Sequence, residues 1–190
     1  MSQATYLNNQ FIIAMPNLAD PNFFHTVAYL CQHNEDGALG IVINRSTDMK
    51  LGEIFKQMDI KVTSPNSAET PVFAGGPVQQ ERGFVVHTSG GDWHATMAVS
   101  ETISLTTSRD VLEAIAIGQG PEQYLVALGY AGWAAGQLEK EIMDKGHISD
   151  EDVLNVVKEM IIERISNKEE RNKTSELATE IYKETMVKNK

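Results

Sequence analysis

A chain of 190 residues that is 42% hydrophobic and 22% charged can bury a core in one domain, and its balance excludes a disordered or fibrous protein. Its 16 Lys and Arg against 26 Asp and Glu give a formal charge of −10 with no basic run, which disfavours nucleic acid as a partner. The longest apolar runs, at 11–15 and 124–128, fall far short of a membrane span, and no basic-then-apolar leader with a small-residue cleavage site opens the chain.

A single cysteine, Cys31, leaves no internal disulfide to form and suits a reducing compartment, so a cytoplasmic location is expected. The charge is uneven. Residues 1–145 carry 8 basic and 16 acidic side chains, whereas residues 146–190 carry 8 and 10. This shift, with the change of pattern described below, divides the chain into a body over 1–145 and a helical extension over 146–190.

In chain order, the apolar run at 11–15 predicts a buried strand closed by Pro16 and a polar turn. Residues 26–33 and 38–44 predict two more strands around Glu35-Asp36-Gly37, a hairpin in which glycine supplies the positive φ of a tight turn. Leu51, Ile54, Phe55 and Met58 recur at helical spacing. Residues 61–71 read as a loop, and Val72-Phe73-Ala74 as a short strand entering Gly75-Gly76-Pro77.

Strands follow over 83–88, 96–99 and 102–105, with a turn at Ser89-Gly90-Gly91-Asp92. Thr107-Ser108-Arg109-Asp110 predicts a helix start, a hydroxyl accepting an orphan N–H while Asp110 sits in the positive first turn. That helix buries Val111, Leu112, Ile115 and Ala116 and stops at Gly118 or Gly120. Residues 124–132 read as a strand and 133–145 as a helix. Beyond Ser149, an expected N-cap, Val153, Leu154, Val157, Met160, Ile161 and Ile165 form a helical stripe, and a weak last helix is expected over 175–186. Strands with interspersed helices argue an α+β fold on a mixed, mainly antiparallel sheet.

Several blocks together resemble one family. They are Phe11-Ile12-Ile13-Ala14-Met15-Pro16, Tyr29-Leu30-Cys31-Gln32-His33, and Gly37-Ala38-Leu39-Gly40-Ile41-Val42-Ile43-Asn44. The match continues through Gly75-Gly76-Pro77-Val78, Arg82-Gly83-Phe84-Val85-Val86-His87 and Thr106-Thr107-Ser108-Arg109-Asp110-Val111-Leu112. It closes with Leu125-Val126-Ala127-Leu128-Gly129-Tyr130-Ala131-Gly132-Trp133 and Gly136-Gln137-Leu138-Glu139-Lys140-Glu141. In this order, over residues 7 to about 142, they resemble the YqgE/AlgH family, also called UPF0301 or DUF179. The resemblance implies a bacterial cytoplasmic protein with a curved, barrel-like sheet and helices packed outside. Some members carry a label as regulators of alginate synthesis, which describes a phenotype and names no chemistry. Residues 143–190, without tryptophan or proline, depart from the family's usual tail.

The candidate ligand-binding set is Asn44, Gly75, Gly76, Arg82, His87 and Arg109. Paired glycines can bring backbone N–H groups to an anion, although the P-loop lysine and the dinucleotide glycine spacing are both missing, so a structural turn is the competing reading. Arg82 and Arg109, if they converge near a helix start, would form a fork for an anion; Arg109 can instead pair with Glu113. His87 is either a base or a strand residue. Cys31 and His33, two apart on a strand, are expected on one face, where they supply half a metal site at most, so no metal is expected. His25 and His87 join them only if the fold brings them close, and a buried structural cysteine is the favoured reading. His94 reads as a loop residue. Gly129-Tyr130-Ala131-Gly132-Trp133 reads as close packing of a helix over glycines, with Trp133 anchoring the next helix, or as a ligand groove.

No Gly-x-Ser-x-Gly elbow or cofactor motif occurs and no carboxylate pair stands out from the solvated acidic surface, so no cofactor is expected. The favoured reading is a non-catalytic protein that binds a small ligand or a protein partner, with a regulatory outcome. The first alternative is an enzyme acting on a small anionic metabolite through Gly75-Gly76-Pro77, Arg82 and His87. The second is a DNA-binding regulator, against which the acidic charge stands. The stripe over 153–165 offers a homodimer contact as a rival to ordinary core packing.

Overall fold

The computed structural model describes residues 6–14, 22–24 and 26–145, with side chains as far as Met143. Nine strands and four helices follow one another: β1 (Phe11–Ile13), β2 (Val27–Asn34), β3 (Gly37–Val42), β4 (Ser46–Lys50), α1 (Leu51–Gln57), α2 (Pro65–Ala68), β5 (Pro71–Ala74), β6 (Val78–Thr88), β7 (Thr96–Ala98), β8 (Ile103–Thr106), α3 (Arg109–Ala116), β9 (Tyr124–Ala134) and α4 (Gln137–Lys145). The sheet runs β1-β2-β3-β9-β6-β8-β7, and β5 joins β9 while carrying β4. Every pairing is antiparallel except β5 with β9.

The spine is β9. Its first half lies between β5 and β6, and its second half passes to β3 through Trp133↔Ala38 and Ala131↔Gly40. Over 125–128 both faces of this strand are covered, one by the strand cluster that holds Leu125 and Ala127 and the other by the helix-packed cluster of Val126 and Leu128, which is why these four follow one another without a polar break. Alternate residues then serve different cores. Tyr29, Ile41, Phe73, Phe84, Leu105 and Ala127 belong to a cluster that contains no helical residue. A sheet face that packs only on other strands must curl on itself, so this cluster fills the inside of a half-barrel. Register shifts in β2 between Leu30 and Gln32 and in β6 between Val78 and Gly83 supply the bends.

Helices cover the outer face. Leu51 and Phe55 of α1 and Val111, Leu112 and Ile115 of α3 pack on Val72, Val85 and Val126. Leu138 of α4 packs with Trp133, Leu30 and Ala131. The α+β architecture with helices outside is therefore as expected. Among the described residues no helix is long and apolar enough to cross a membrane.

Local differences from the expected elements have physical causes. The strand β4 has three exposed residues followed by two half-buried ones, so it carries no apolar alternation for a sequence reading to find. The expected loop over 61–71 contains α2, with Pro65 in its first turn and the Ser67 hydroxyl donating to Ser64 O at 2.7 Å. Trp133 was expected in a helix but lies in β9, because β3 offers it a partner; the helix starts only after Gly136. The third strand ends at Val42, short of the expected Asn44. Met15, His25, the boundary at 145/146, the stripe over 153–165 and the helix over 175–186 fall wholly or partly outside the described residues.

Candidate functional site

The glycine pair after β5 is a packing device. Gly75 N donates to Leu128 O and Gly75 O accepts from Val42 N, both at 2.8 Å, so its backbone joins β5 to both β9 and β3. A β-carbon on Gly76 would lie 2.1 Å from the Tyr130 carbonyl carbon, and one on Gly129 would lie 2.4 Å from Gly76 O. What covers Gly129 is thus the chain between β5 and β6, not the helix expected there. Trp133 does anchor α4, through Leu138 and through Nε1 donating to Glu141 Oε2 at 3.2 Å.

Asn44 also works internally: its Oδ1 accepts from Val27 N at 2.8 Å and fixes the start of β2. Cys31 and His33 do not share a face, because the bulge at Leu30/Gln32 breaks the alternation between them. Cys31 sits in the helix-free cluster, where burial pushes its thiol far above the usual range. The His33 ring accepts from Leu7 N at Nδ1 and donates from Nε2 to Glu139 Oε1 of α4, both at 3.0 Å. Among the described residues no group of three or more His, Cys, Asp or Glu is placed to hold a metal.

His87 is buried, with only 1% exposure. Its Nδ1 donates to Thr88 O at 2.8 Å, so Nε2 is the acceptor and takes the Thr106 hydroxyl at 2.8 Å. Burial lowers its pKa below 6.5, against the opposing pull of the Thr88 carbonyl, and the Trp93 ring stands edge-on at 5.1 Å. Arg82 is exposed on the same strand. Its guanidinium lies 5.4 Å from the Phe84 ring centroid and donates to Gln79 Oε1 at 3.4 Å and Thr107 Oγ1 at 3.3 Å. Arg82 and His87 therefore reach consecutive residues, Thr107 at the surface and Thr106 beneath it. Arg109 turns along its own helix instead, with Nε donating to Glu113 Oε1 at 2.6 Å.

The helix start is built differently from the expected cap. Ser108 occupies the N-cap position of α3, but its hydroxyl directs its one proton between His94 O and Asp110 Oδ1 and accepts no N–H of the helix. Asp110 does the capping. Its Oδ1 accepts Val111 N at 2.9 Å, while Oδ2 accepts His94 N at 2.8 Å and His94 Nδ1 at 2.7 Å. Partial burial works against the charge, yet these donors outweigh it and hold the carboxyl at about 2. Residues 94 and 108–110 meet because β7 pairs with β8 as Thr96↔Thr106; two steps further out, His94 falls opposite Ser108. No spacing within the sequence announces that pairing.

A family model described as AlgH-like matches residues 11–169 of the chain. The chain belongs to the AlgH-like family. A UPF0301 protein of Thioalkalivibrio sulfidiphilus is 56% identical over 149 residues, which cover 78% of this chain and 80% of that protein. Another from Methylococcus capsulatus is 53% identical over 148 residues, covering 78% and 79%. The solution structure of the AlgH protein from Pseudomonas aeruginosa matches with a TM-score of 0.68 at 42% identity, over 88% of this chain and 93% of that one. A crystal structure from Corynebacterium diphtheriae, 20% identical with a TM-score of 0.57 over 75% and 74%, shares the fold. The AlgH-like match runs past residue 142, where the family blocks quoted from the sequence end.

Proposed function

We propose that this AlgH-like chain acts by binding, without turnover, and that its contact face is the rim around Arg82, taking a ligand or partner that presents an anion. The observation that carries this is the state of Arg82. It is exposed, braced on an aromatic face, held only by long hydrogen bonds to two neutral groups, and makes no ion pair among the described residues. A planar fork of donors in that state suits a carboxylate or phosphate. The other members of the candidate set have partners already: Asn44 is bonded to Val27, Gly75 and Gly76 pack on β9, His87 is bonded to Thr88 and Thr106, and Arg109 pairs with Glu113 at the surface. The engagement of both His87 nitrogens weighs against the enzymatic alternative, and the acidic body, with 16 acidic and 8 basic residues over 1–145, weighs against duplex DNA. The lone buried thiol suits a cytoplasmic setting.

The test is a thermal-shift screen of the full chain against inorganic phosphate, nucleotides and carboxylate metabolites. A ligand at about 100 times its dissociation constant stabilises by about 2.7 kcal/mol. For a chain of this size that is a rise of about 5–10 °C. The rise should vanish in Arg82→Gln. A hit that Arg82→Gln leaves intact places the site elsewhere, and saturable turnover of any hit ends the non-catalytic reading.

A further inference from the structure

We propose that Nε2 of His94 is a phosphoryl-acceptor site, charged by a small phosphoramidate or acyl-phosphate donor. Of the described histidines, His33 and His87 have both ring nitrogens engaged internally, whereas His94 engages only one and its side chain is 92% exposed. Its Nδ1 lies 2.7 Å from a carboxylate oxygen that can only accept, so Nδ1 carries the proton and the neutral ring keeps its lone pair on Nε2, in solvent. Asp110 is itself locked by Ser108 and by the backbone N–H groups of His94 and Val111, so it holds the ring in one orientation. The carboxylate thereby fixes the tautomer that leaves Nε2 as the nucleophile.

The supporting backbone is strained. Ala95 adopts φ +46°, a left-handed conformation that a residue with a β-carbon rarely takes, and it is held there as Thr107 N donates to Ala95 O at 3.2 Å. Loop anchoring alone would be met by His94 N–H. The ring contact adds little to stability at such exposure, because water competes for both partners. An imidazole this exposed lacks walls to hold a small substrate for proton transfer, but a donor that delivers its group covalently needs only access.

In the step, the Nε2 lone pair attacks phosphorus and an N–P bond forms. The P–N bond of a phosphoramidate or the P–O bond of an acyl phosphate breaks, and its electron pair leaves with the amine or carboxylate. The ring carries positive charge until the Nδ1 proton passes to solvent, and the Asp110 carboxylate offsets that charge meanwhile. Hydrolysis of the N–P bond restores the site. This proposal needs only His94 and Asp110 and makes no use of Arg82, so either can fail alone.

The full chain is incubated with potassium phosphoramidate or acetyl phosphate and followed by intact mass, peptide mapping at alkaline pH and ³¹P NMR. The expected result is one acid-labile phosphoryl group on His94 Nε2, absent in His94→Gln. Asp110→Asn should slow uptake by about tenfold or more. Glu113→Gln, whose partner is Arg109 and which touches neither His94 nor Asp110, should stay near the wild-type rate, and circular dichroism of each variant separates loss of fold from loss of reactivity. Labelling no faster than free N-acetylhistidine, labelling on Nδ1 or on another histidine, or an unchanged rate in folded Asp110→Asn overturns the proposal. Stoichiometric zinc binding at His94 without phosphoryl uptake overturns it in favour of a metal ligand.

Discussion

The Gly76 carbonyl passes directly over Gly129, so close that a β-carbon on Gly129 would meet that oxygen at 2.4 Å. Gly129 also has φ +74°, where a side chain is strained whatever the space. This backbone crossing seats the chain between β5 and β6 on β9 and so closes the curl of the sheet. Gly76→Ala and Gly129→Ala are each expected to destabilise by about 3 kcal/mol or more, or to prevent folding. Gly83→Ala, where a β-carbon meets nothing within 4 Å, should change stability by less than about 1 kcal/mol. Urea unfolding of the three variants checks the contrast, and equal losses would mean that the crossing has no special weight.

His87 makes stability depend on pH with a defined sign. Its folded pKa lies below the unfolded 6.5, so at pH values just under 6.5 the unfolded chain binds the extra proton. Its contribution is therefore full above 6.5 and is lost as pH falls from 6.5 through the folded value. His87→Gln retains a donor and an acceptor for Thr88 and Thr106. It should cost about 1–2 kcal/mol near pH 7.5, and this deficit should shrink toward pH 5.5. Denaturant melts at both pH values measure it. A deficit that stays constant would show that His87 titrates alike in both states.

Asp110 behaves with the opposite sign. Its carboxyl is held at about 2 against an ordinary 3.8, so its contribution is present above 3.8 and lost as pH falls toward 2. Asp110→Asn removes the charge and one of the two acceptor oxygens that between them join Ser108, His94 and Val111. The expected cost is about 1 kcal/mol at neutral pH, as for the loss of a helix cap. That difference from wild type should close between pH 3.8 and 2. Direct carboxyl titration by NMR should find this group the last of the described aspartates to protonate.

Cys31 should be silent in the folded protein. It is 3% exposed, its thiol is pushed up by burial, and its Sγ donates to Tyr29 O at 3.6 Å. A disulfide reagent should leave it untouched under native conditions and label it fully in denaturant. Native labelling at a rate independent of unfolding would contradict the core placement. Cys31→Ser should destabilise by about 1–3 kcal/mol, because a hydroxyl in that cluster is a poorly solvated polar group.

Much of the fold was legible in local pattern. The hairpin around Asp36-Gly37, the α1 stripe of Leu51, Ile54 and Phe55, and the α3 stripe ending near Gly118 all follow from a turn residue or a 3.6-residue period. What escaped depended on partners. The exposed edge β4 has no alternation, and Trp133 stays extended because Ala38 pairs with it. The candidate site was legible only as residue types. That Arg82 remains uncommitted while Arg109 pairs with Glu113 is a matter of side-chain geometry.

The sequence by itself determined the family, the α+β class and the buried faces, because apolar periodicity and turn chemistry act over a few residues at a time. Only the tertiary structure decided that the glycine pair is a backbone crossing, that Cys31 and His33 part company at a bulge, and that His94, Ser108 and Asp110 meet. Each of these rests on strand register, between β5 and β9 for the crossing and within the β2–β3 and β7–β8 pairs for the other two. A shift of a single residue would place every one of those side chains on the other face.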